Sequence, residues 1–308
     1  MSGIREAVDE YLTIRRRLGY KLIGAGSLLS DFAAYCERMG VATLSTEAML
    51  AWVKQPANCQ PVWLSIRMGV VRRFAAYLHA IDACHEVPPA DLFPARCTRA
   101  TPYLYSAADI SNLIAAAEEL RGLQAATYST AIGLLAVTGM RVGELIRLDR
   151  EDVDWTEAML TLRNGKFGKS REVVLDSSTM GVLHAYDQQR RRTFSRPKTA
   201  AFFVSMAGTR LQYSELQRRF RVLVRRAGIA WEQGHGRPPR LHDLRHTFAV
   251  NTLLGWYQAG VDVAERIHLL STYMGHSDPA NTYWYQSAAP ELMALAAERL
   301  ERTAGELA

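Results

Sequence analysis

Four stretches of this sequence carry residue types that could act together on a phosphate ester. In residues 138–145 (TGMRVGEL) an apolar helix breaks at Gly139 and restarts at Val142. Arg141 is left beside a fresh helix N-terminus, where free backbone N–H groups and the helix dipole add to its guanidinium and suit an anion. An ordinary ion pair with Glu144, one turn on, explains the same spacing. Residues 161–171 (TLRNGKFGKSR) read as a hairpin, with turn chemistry at Asn164-Gly165 and Gly168. A lysine on a tight turn there, Lys166 or its neighbour Lys169, could protonate a leaving oxygen, although charged turn residues are also commonplace.

The third stretch, 241–248 (LHDLRHTF), places His242 and Arg245 three residues apart on one helix face. An imidazole beside a guanidinium makes a phosphate clamp with a proton carrier. His242 and His246, four apart, could mimic a metal pair. A catalytic zinc normally takes a third protein ligand, however, and no Glu follows the first His as in HExxH. No metal or other cofactor is expected. The fourth stretch joins Met274-Gly275-His276-Ser277-Asp278 to Asn281-Thr282-Tyr283-Trp284-Tyr285. Either tyrosine could be a nucleophile or part of a packed aromatic cluster, but two apart on a helix they point to nearly opposite sides.

The elements that must position these residues fall into two groups. Residues 4–18 form an amphipathic run ending at Arg15-Arg16-Arg17, with Gly19 as a stop. Apolar helical spacing returns over 28–39 and is closed by Gly40, Thr46 reads as the N-cap of a helix through Val53, and Pro61 opens a fourth helix. Prolines crowd 87–102, which marks a linker. Beyond it, helices are expected over 107–119 and 125–137, then a strand-rich piece over 159–175. Helices resume over 177–191 and 213–227, and after Pro238-Pro239. The expected fold is mainly α with a small β-sheet. An all-α domain (1–90) and a linker (91–102) precede a mixed α/β domain (103–289) and a C-terminal amphipathic helix (290–308). That last helix carries Leu292, Leu295, Ala296 and Leu300 along one side.

The chain has 308 residues and a formal charge of +6, a mild lean toward polyanions. Distribution says more than the sum. Residues 1–98 hold 11 Lys/Arg against 9 Asp/Glu, whereas 187–240 hold 13 against 3, namely Asp187, Glu215 and Glu232. Within the second stretch, Arg218, Arg221 and Arg225 share one face of a helix. Arg15, Arg16, Arg72 and Arg73 are further candidates for phosphate contact, with a solvated basic face as the alternative in every case. Cys36, Cys59, Cys84 and Cys97 lack CxxC spacing and read as reduced thiols. No apolar run reaches the roughly 20 residues that span a bilayer, and the N-terminus lacks a secretory h-region. No membrane partner is expected, and the protein is placed in the cytoplasm with the nucleoid.

Taken in order, the four stretches resemble the tyrosine recombinase (phage integrase) family. TGMRVGEL is similar to the family's first-arginine motif and NGKFGKSREVVL to its lysine hairpin. HDLRHTFA is similar to its H-x-x-R motif, and MGHSD followed nine residues after His276 by Tyr285 resembles its final box. The helical first domain resembles a core-binding domain that clamps DNA, and TPYLYSAADI resembles the start of the catalytic domain. The resemblance implies that Arg141 and Arg245 hold the non-bridging oxygens of a scissile phosphate while Lys166 protonates the 5′ oxygen. His242 assists proton transfer at the nucleophile, His276 bonds the phosphate and Tyr285 attacks phosphorus. It further implies a double-stranded DNA recombination site as partner, a homotetramer on that DNA and a mobile-element setting. An accessory DNA-bending or directionality factor belongs to the same picture. The helix 290–308 either packs on its own domain or, by the resemblance, docks on a neighbouring protomer.

Elementary chemistry agrees with that assignment. A phosphodiester passing through a pentacoordinate state gathers negative charge that two guanidinium forks can stabilise without a metal. A phenol, with a pKa of about 10, needs nearby cations and a base to become a nucleophile at neutral pH. A 3′-phosphotyrosine conserves the ester, so a 5′ hydroxyl can reverse the step without ATP. Two rivals remain: a type IB topoisomerase, which shares the chemistry but lacks the separate helical module, and a DNA-binding regulator, which gives these residues no role.

Overall fold

The computed structural model describes residues 3–93, 101–163, 170–196, 198–231, 238–276 and 278–288. The chain divides into two compact units, Met1–Arg99 and Ala100–Ala308.

The first unit is helical: α1 (Ile4–Arg17), α2 (Ile23–Met39), α3 (Thr46–Val53) and α4 (Pro61–Ile81). Its core gathers Val8, Leu12, Leu29, Phe32, Met49, Trp52, Val71 and Phe74. Burying side chains of this size stabilises by roughly 1.5–3 kcal/mol each. Sequence punctuation explains most ends: Gly40 closes α2 in the left-handed conformation and Pro61 occupies the first turn of α4. Two boundaries differ from expectation. Helix α3 is capped by Ser45, whose hydroxyl accepts from the Ala48 N–H at 3.2 Å, and Thr46 is its first residue. Helix α2 begins at Ile23, not near 28, because its first turn uses Gly24, Ala25 and Gly26, which carry little apolar signal. Gly26 is buried there because α1 comes close. A methyl group at Gly26 would lie 3.0 Å from the Arg16 guanidinium and 3.7 Å from Leu12.

The second unit is mainly helical with one small antiparallel sheet. Its helices are α5 (Ala107–Glu118), α6 (Leu123–Thr138), α7 (Val142–Arg147), α8 (Ser177–Thr193), α9 (Tyr213–Arg226), α10 (Leu241–Gln258), α11 (Val263–Met274) and α12 (Ala280–Ala288). The strands β1 (Val153–Asp154), β2 (Met159–Leu162) and β3 (Arg171–Val174) lie in sequential order, with Val153 opposite Leu160 and Leu160 opposite Val173. β1 is two residues long, too short to leave an alternating pattern. Helix α6 is the hub. It packs on α5, α8 and α10, so residues from Leu123 to Thr138 are buried around its circumference and no polar stripe survives. Two consecutive rings, Phe202 and Phe203, fill the main core from an irregular segment between α8 and α9.

A second, smaller apolar cluster lies under the C-terminal helices: Ala249, Val250 and Leu253 from α10, Val263, Leu270 and Met274 from α11, and Tyr285 from α12. This cluster anchors the last three helices to one another. The tip joining β2 to β3, with Lys166 and Lys169, lies outside the described residues, as do Cys97 and the expected helix 290–308.

Candidate active site

Arg141 sits where two helices fail to join. Gly139 ends α6 with φ +58°, and a side chain there would run into the ring of Phe248, so both conformation and space call for glycine. Arg141 is extended and precedes α7; its backbone N–H donates to Glu144 Oε2 at 2.8 Å. Its guanidinium donates to Glu144 Oε1 at 2.9 Å and to the Gly275 carbonyl at 2.6 Å. The ordinary ion pair with Glu144 and the placement in an anion-ready corner are therefore both present.

Arg245 projects from the first turns of α10, only 3% exposed. It donates from Nη1 to the Gly139 carbonyl and from Nη2 to the Met274 carbonyl, each at 2.6 Å. A guanidinium has five N–H donors, so these two bonds fix its plane and leave donors for a ligand. Burial, then the neighbouring Arg141, lower its pKa to about 10, while Tyr285 and Glu144 favour the charged form. It stays a cation at neutral pH.

Arg171 of β3 completes the arrangement. It donates to both oxygens of Glu144, at 2.9 and 2.8 Å, and from Nε to the Tyr273 carbonyl at 2.7 Å. Burial would raise the pKa of Glu144, but hydrogen bonds from Arg171 and from the Arg141 backbone outweigh it and hold the carboxyl at about 2. Gly275, at φ +66°, makes room: a methyl group there would lie 2.8 Å from Arg171 Nη1 and 3.4 Å from Arg141 Nη1. Three guanidiniums thus surround one carboxylate, leaving a local excess of positive charge.

His242 lies in the first turn of α10, where the helix dipole adds to that field. Its outer edge is open to solvent. Partial loss of water around the ring, then Arg245, Arg240 and Arg141, nevertheless push its imidazole down to about 4. It is neutral at pH 7.

Tyr285 is 2% exposed, whereas Tyr283 is 51% exposed; the helix turns one hydroxyl inward and the other out. The Tyr285 ring stacks on His276, with centroids 6.2 Å apart, and its hydroxyl lies 3.0 Å from His246 Nδ1. His276 follows the left-handed Gly275 that ends α11, and its Nδ1 meets Thr282 Oγ1 at 2.7 Å. The rings of His242 and His246 stand perpendicular, 4.9 Å apart. Arg141, His242, Arg245, His276 and Tyr285 are therefore brought together from three separate stretches of chain. Such a cluster combines an electropositive anion seat, neutral imidazole and a phenol held at its edge.

The sequence profile of the Phage integrase family matches residues 105–291, more than half of the chain and a span within which these five residues fall. The chain belongs to this family. It is 43% identical over 310 residues to the Sinorhizobium fredii protein y4rB, an integrase/recombinase by name, covering 98% of each. It is 28% identical over 292 residues to the tyrosine recombinase XerC of Azotobacter vinelandii, covering 92% of this chain and 91% of XerC. The fold is shared with a lambda integrase tetramer bound to a Holliday junction, at a TM-score of 0.62 and 17% identity, over 92% of this chain and 77% of that one.

Three residues at the site, Arg171, Glu144 and His246, carry little sign of their part in it in the sequence. Arg171 and Glu144 are 27 apart and carry no local sign of pairing. His246 drew notice only as half of a metal pair, but its Nδ1 meets the Tyr285 hydroxyl. Its adjacency to Arg245 was the one visible hint. Among the described residues, one group of possible metal ligands is present, Asp82, Cys84 and His85 in the first unit. Asp82 Oδ1 there accepts from the Cys84 N–H and His85 Nδ1 from the Leu44 N–H, so these atoms already close the loop after α4.

The expected DNA-contact arginines divide into two kinds. Arg218, Arg221 and Arg225 are exposed on α9 opposite its buried Leu216, Phe220 and Leu223. Arg16 and Arg73 are also exposed. Arg15 lies over the Tyr20 ring at 4.0 Å, and Arg72 donates to the Pro88 carbonyl at 3.0 Å, so both already have roles within the first unit.

Proposed function

We propose that this integrase is a site-specific recombinase that cleaves and rejoins DNA through a 3′-phosphotyrosine and exchanges strands through a Holliday junction. The observation that carries this reading is the inward hydroxyl of Tyr285, buried in the same cluster as the Arg245 and Arg141 guanidiniums. Arg141 and Arg245 hold the non-bridging oxygens and stabilise the charge that grows on them. The phenolic oxygen of Tyr285 attacks phosphorus, the bond to the 5′ oxygen breaks, and Lys166, with Lys169 as alternative, supplies that oxygen's proton. His276 bonds the phosphate, and His242 lies beside it. The energy of the ester is kept in the phosphotyrosine, so the cycle needs neither metal nor ATP.

The helical residues 1–90 serve as the clamp on the far face of double-stranded DNA, joined through 91–102 to the catalytic residues 103–289. Phosphate contacts by Arg218, Arg221, Arg225, Arg15, Arg16, Arg72 and Arg73 position the enzyme without reading sequence. Four copies act on two sites, with 290–308 passed to a neighbour. The lambda integrase tetramer supports that assembly by analogy of fold.

The test uses DNA flanking the native gene, nicked near the cut site, mixed with protein and run on a denaturing gel. Wild type should give a covalent adduct, and Tyr285→Phe should bind the DNA but give none. Binding without any wild-type adduct would make the protein a DNA-binding regulator. Relaxation of supercoils without joining of two DNA molecules would make it a type IB topoisomerase.

A further inference from the structure

We infer that His246 is a further catalytic residue: its Nδ1 accepts the phenol proton of Tyr285 as the oxygen attacks phosphorus and returns it when the strand is rejoined. This rests on the reading of Tyr285 as nucleophile. The geometry carries it. His246 Nδ1 lies 3.0 Å from the Tyr285 hydroxyl, within direct proton-transfer distance. The two rings tilt against each other at 58° with centroids 5.5 Å apart, and Trp284 closes against the imidazole at 5.7 Å. His242, the histidine singled out from the motif, stands among Arg245, Arg240 and Arg141 instead, where an added proton is opposed by three like charges. The division of labour follows: His242 faces the phosphate arginines and His246 serves the phenol.

The groups around the pair can be named element by element. α10 itself contributes His242, Arg245 and the Asp243–Arg240 pair at its start. α12 contributes Tyr285 and the outward Tyr283, and the segment before it contributes His276. α11 brings Tyr273, stacked on Phe248, while its Glu265, Arg266 and His268 are exposed. α6 has no charged residue, and its Tyr128 is bonded to Glu215. From β3 and α7 come Arg171 and Glu144, bonded to each other, and Arg141 precedes α7.

The step balances. The phenol O–H breaks as the Nδ1–H bond forms, which requires the resting proton of His246 on Nε2. The phosphorus–tyrosine bond forms, the phosphorus–5′ oxygen bond breaks, and the turn lysine protonates the departing oxygen. In rejoining, a 5′ hydroxyl attacks, and His246 hands its proton back to the tyrosyl oxygen as it leaves.

The experiment measures single-turnover adduct formation on the nicked DNA from pH 6 to 9. His246→Asn keeps a polar group near Nδ1 but cannot take a proton. It should lower the rate about 10²–10⁴-fold with DNA affinity unchanged. Its rate should then rise more steeply with pH than that of wild type, because attack comes to depend on the phenolate already present in solution equilibrium. His242→Asn should lower the rate at every pH without changing the shape of the profile. A His246→Asn rate within about threefold of wild type, or a profile parallel to it, overturns the inference, because loss of a general base costs about 10²–10⁴-fold. If Tyr285→Phe still forms adduct, the reading of Tyr285 fails instead. A folding defect in His246→Asn is met by ¹⁵N-histidine spectra of wild type and Tyr285→Phe: the His246 Nδ1 resonance should shift, and no shift overturns the proposal.

Discussion

Arg67 in the first unit and Arg245 in the second are both buried cations, 5% and 3% exposed. Arg67 lies flat over the Trp52 ring at 3.6 Å, donates to the Trp52 carbonyl at 2.9 Å and stands 3.7 Å from Asp31. Burial lowers its pKa and Asp31 works against that. It fills a gap in a core. Arg245 is gripped by two carbonyls, but its charged neighbours include Arg141 and Arg171, and they repel it. Burial of a guanidinium therefore does not mark a site. An uncompensated surplus of like charge, held by carbonyls so that it cannot relax, does.

That contrast can be broken most directly at the two arginines. Arg245→Ala should lower the rate of adduct formation about 10²–10³-fold, the usual loss for one donor to a developing oxyanion. Arg67→Met should leave the rate almost unchanged but cost about 1–3 kcal/mol in urea unfolding, because the Trp52 carbonyl loses its charged donor and the Trp52 ring the guanidinium above it. Equal catalytic losses would erase the distinction.

Gly275 and Glu144 test how the surplus is held. Gly275→Ala would push a methyl group into Arg171 and Arg141 at a left-handed backbone position, and should cost about 1–3 kcal/mol together with a measurable loss of cleavage. Glu144→Gln should destabilise by about 3–5 kcal/mol, since it removes the partner of two partly buried cations. The carboxyl is depressed in the folded state, so its contribution is full above the ordinary value of 4.5 and is lost as pH falls toward about 2. The gap between wild type and Glu144→Gln in urea melts should therefore close on acidification.

His242 sharpens the electrostatic side. Its folded pKa of about 4 lies below the ordinary 6.5, so the unfolded chain binds the extra proton between those values. Stability should fall as pH drops from 6.5 toward 4, and His242→Gln should flatten that slope in thermal melts. A bound phosphate offsets the three guanidiniums and raises this pKa. DNA binding should accordingly take up a proton near pH 5–6, read by calorimetry in buffers of different ionisation heat, and His242→Gln should abolish the uptake.

The smallest effect belongs to the exposed face of α9. Arg221→Ala should change stability by less than about 0.5 kcal/mol and reduce the slope of log affinity against log salt by about one. A much larger effect on cleavage than on binding would move Arg221 from positioning into chemistry.

Local pattern alone determined where the helices stop, that Gly139 leaves Arg141 at a break, and that His242 and Arg245 share one face. It also determined that two tyrosines two apart cannot both point inward. Each of these follows from covalent geometry over a few residues, written directly in residue type and spacing. Only the folded chain decided which tyrosine turns in, that Glu144 sits between Arg141 and Arg171, and that Arg141 reaches the Gly275 carbonyl 134 residues away. The pairing of His246 with Tyr285, 39 residues apart, was likewise invisible. Those contacts arise where α10, α11 and α12 pack over one apolar cluster. Packing is set by complementary surfaces, and its partners leave no period in the sequence of either one.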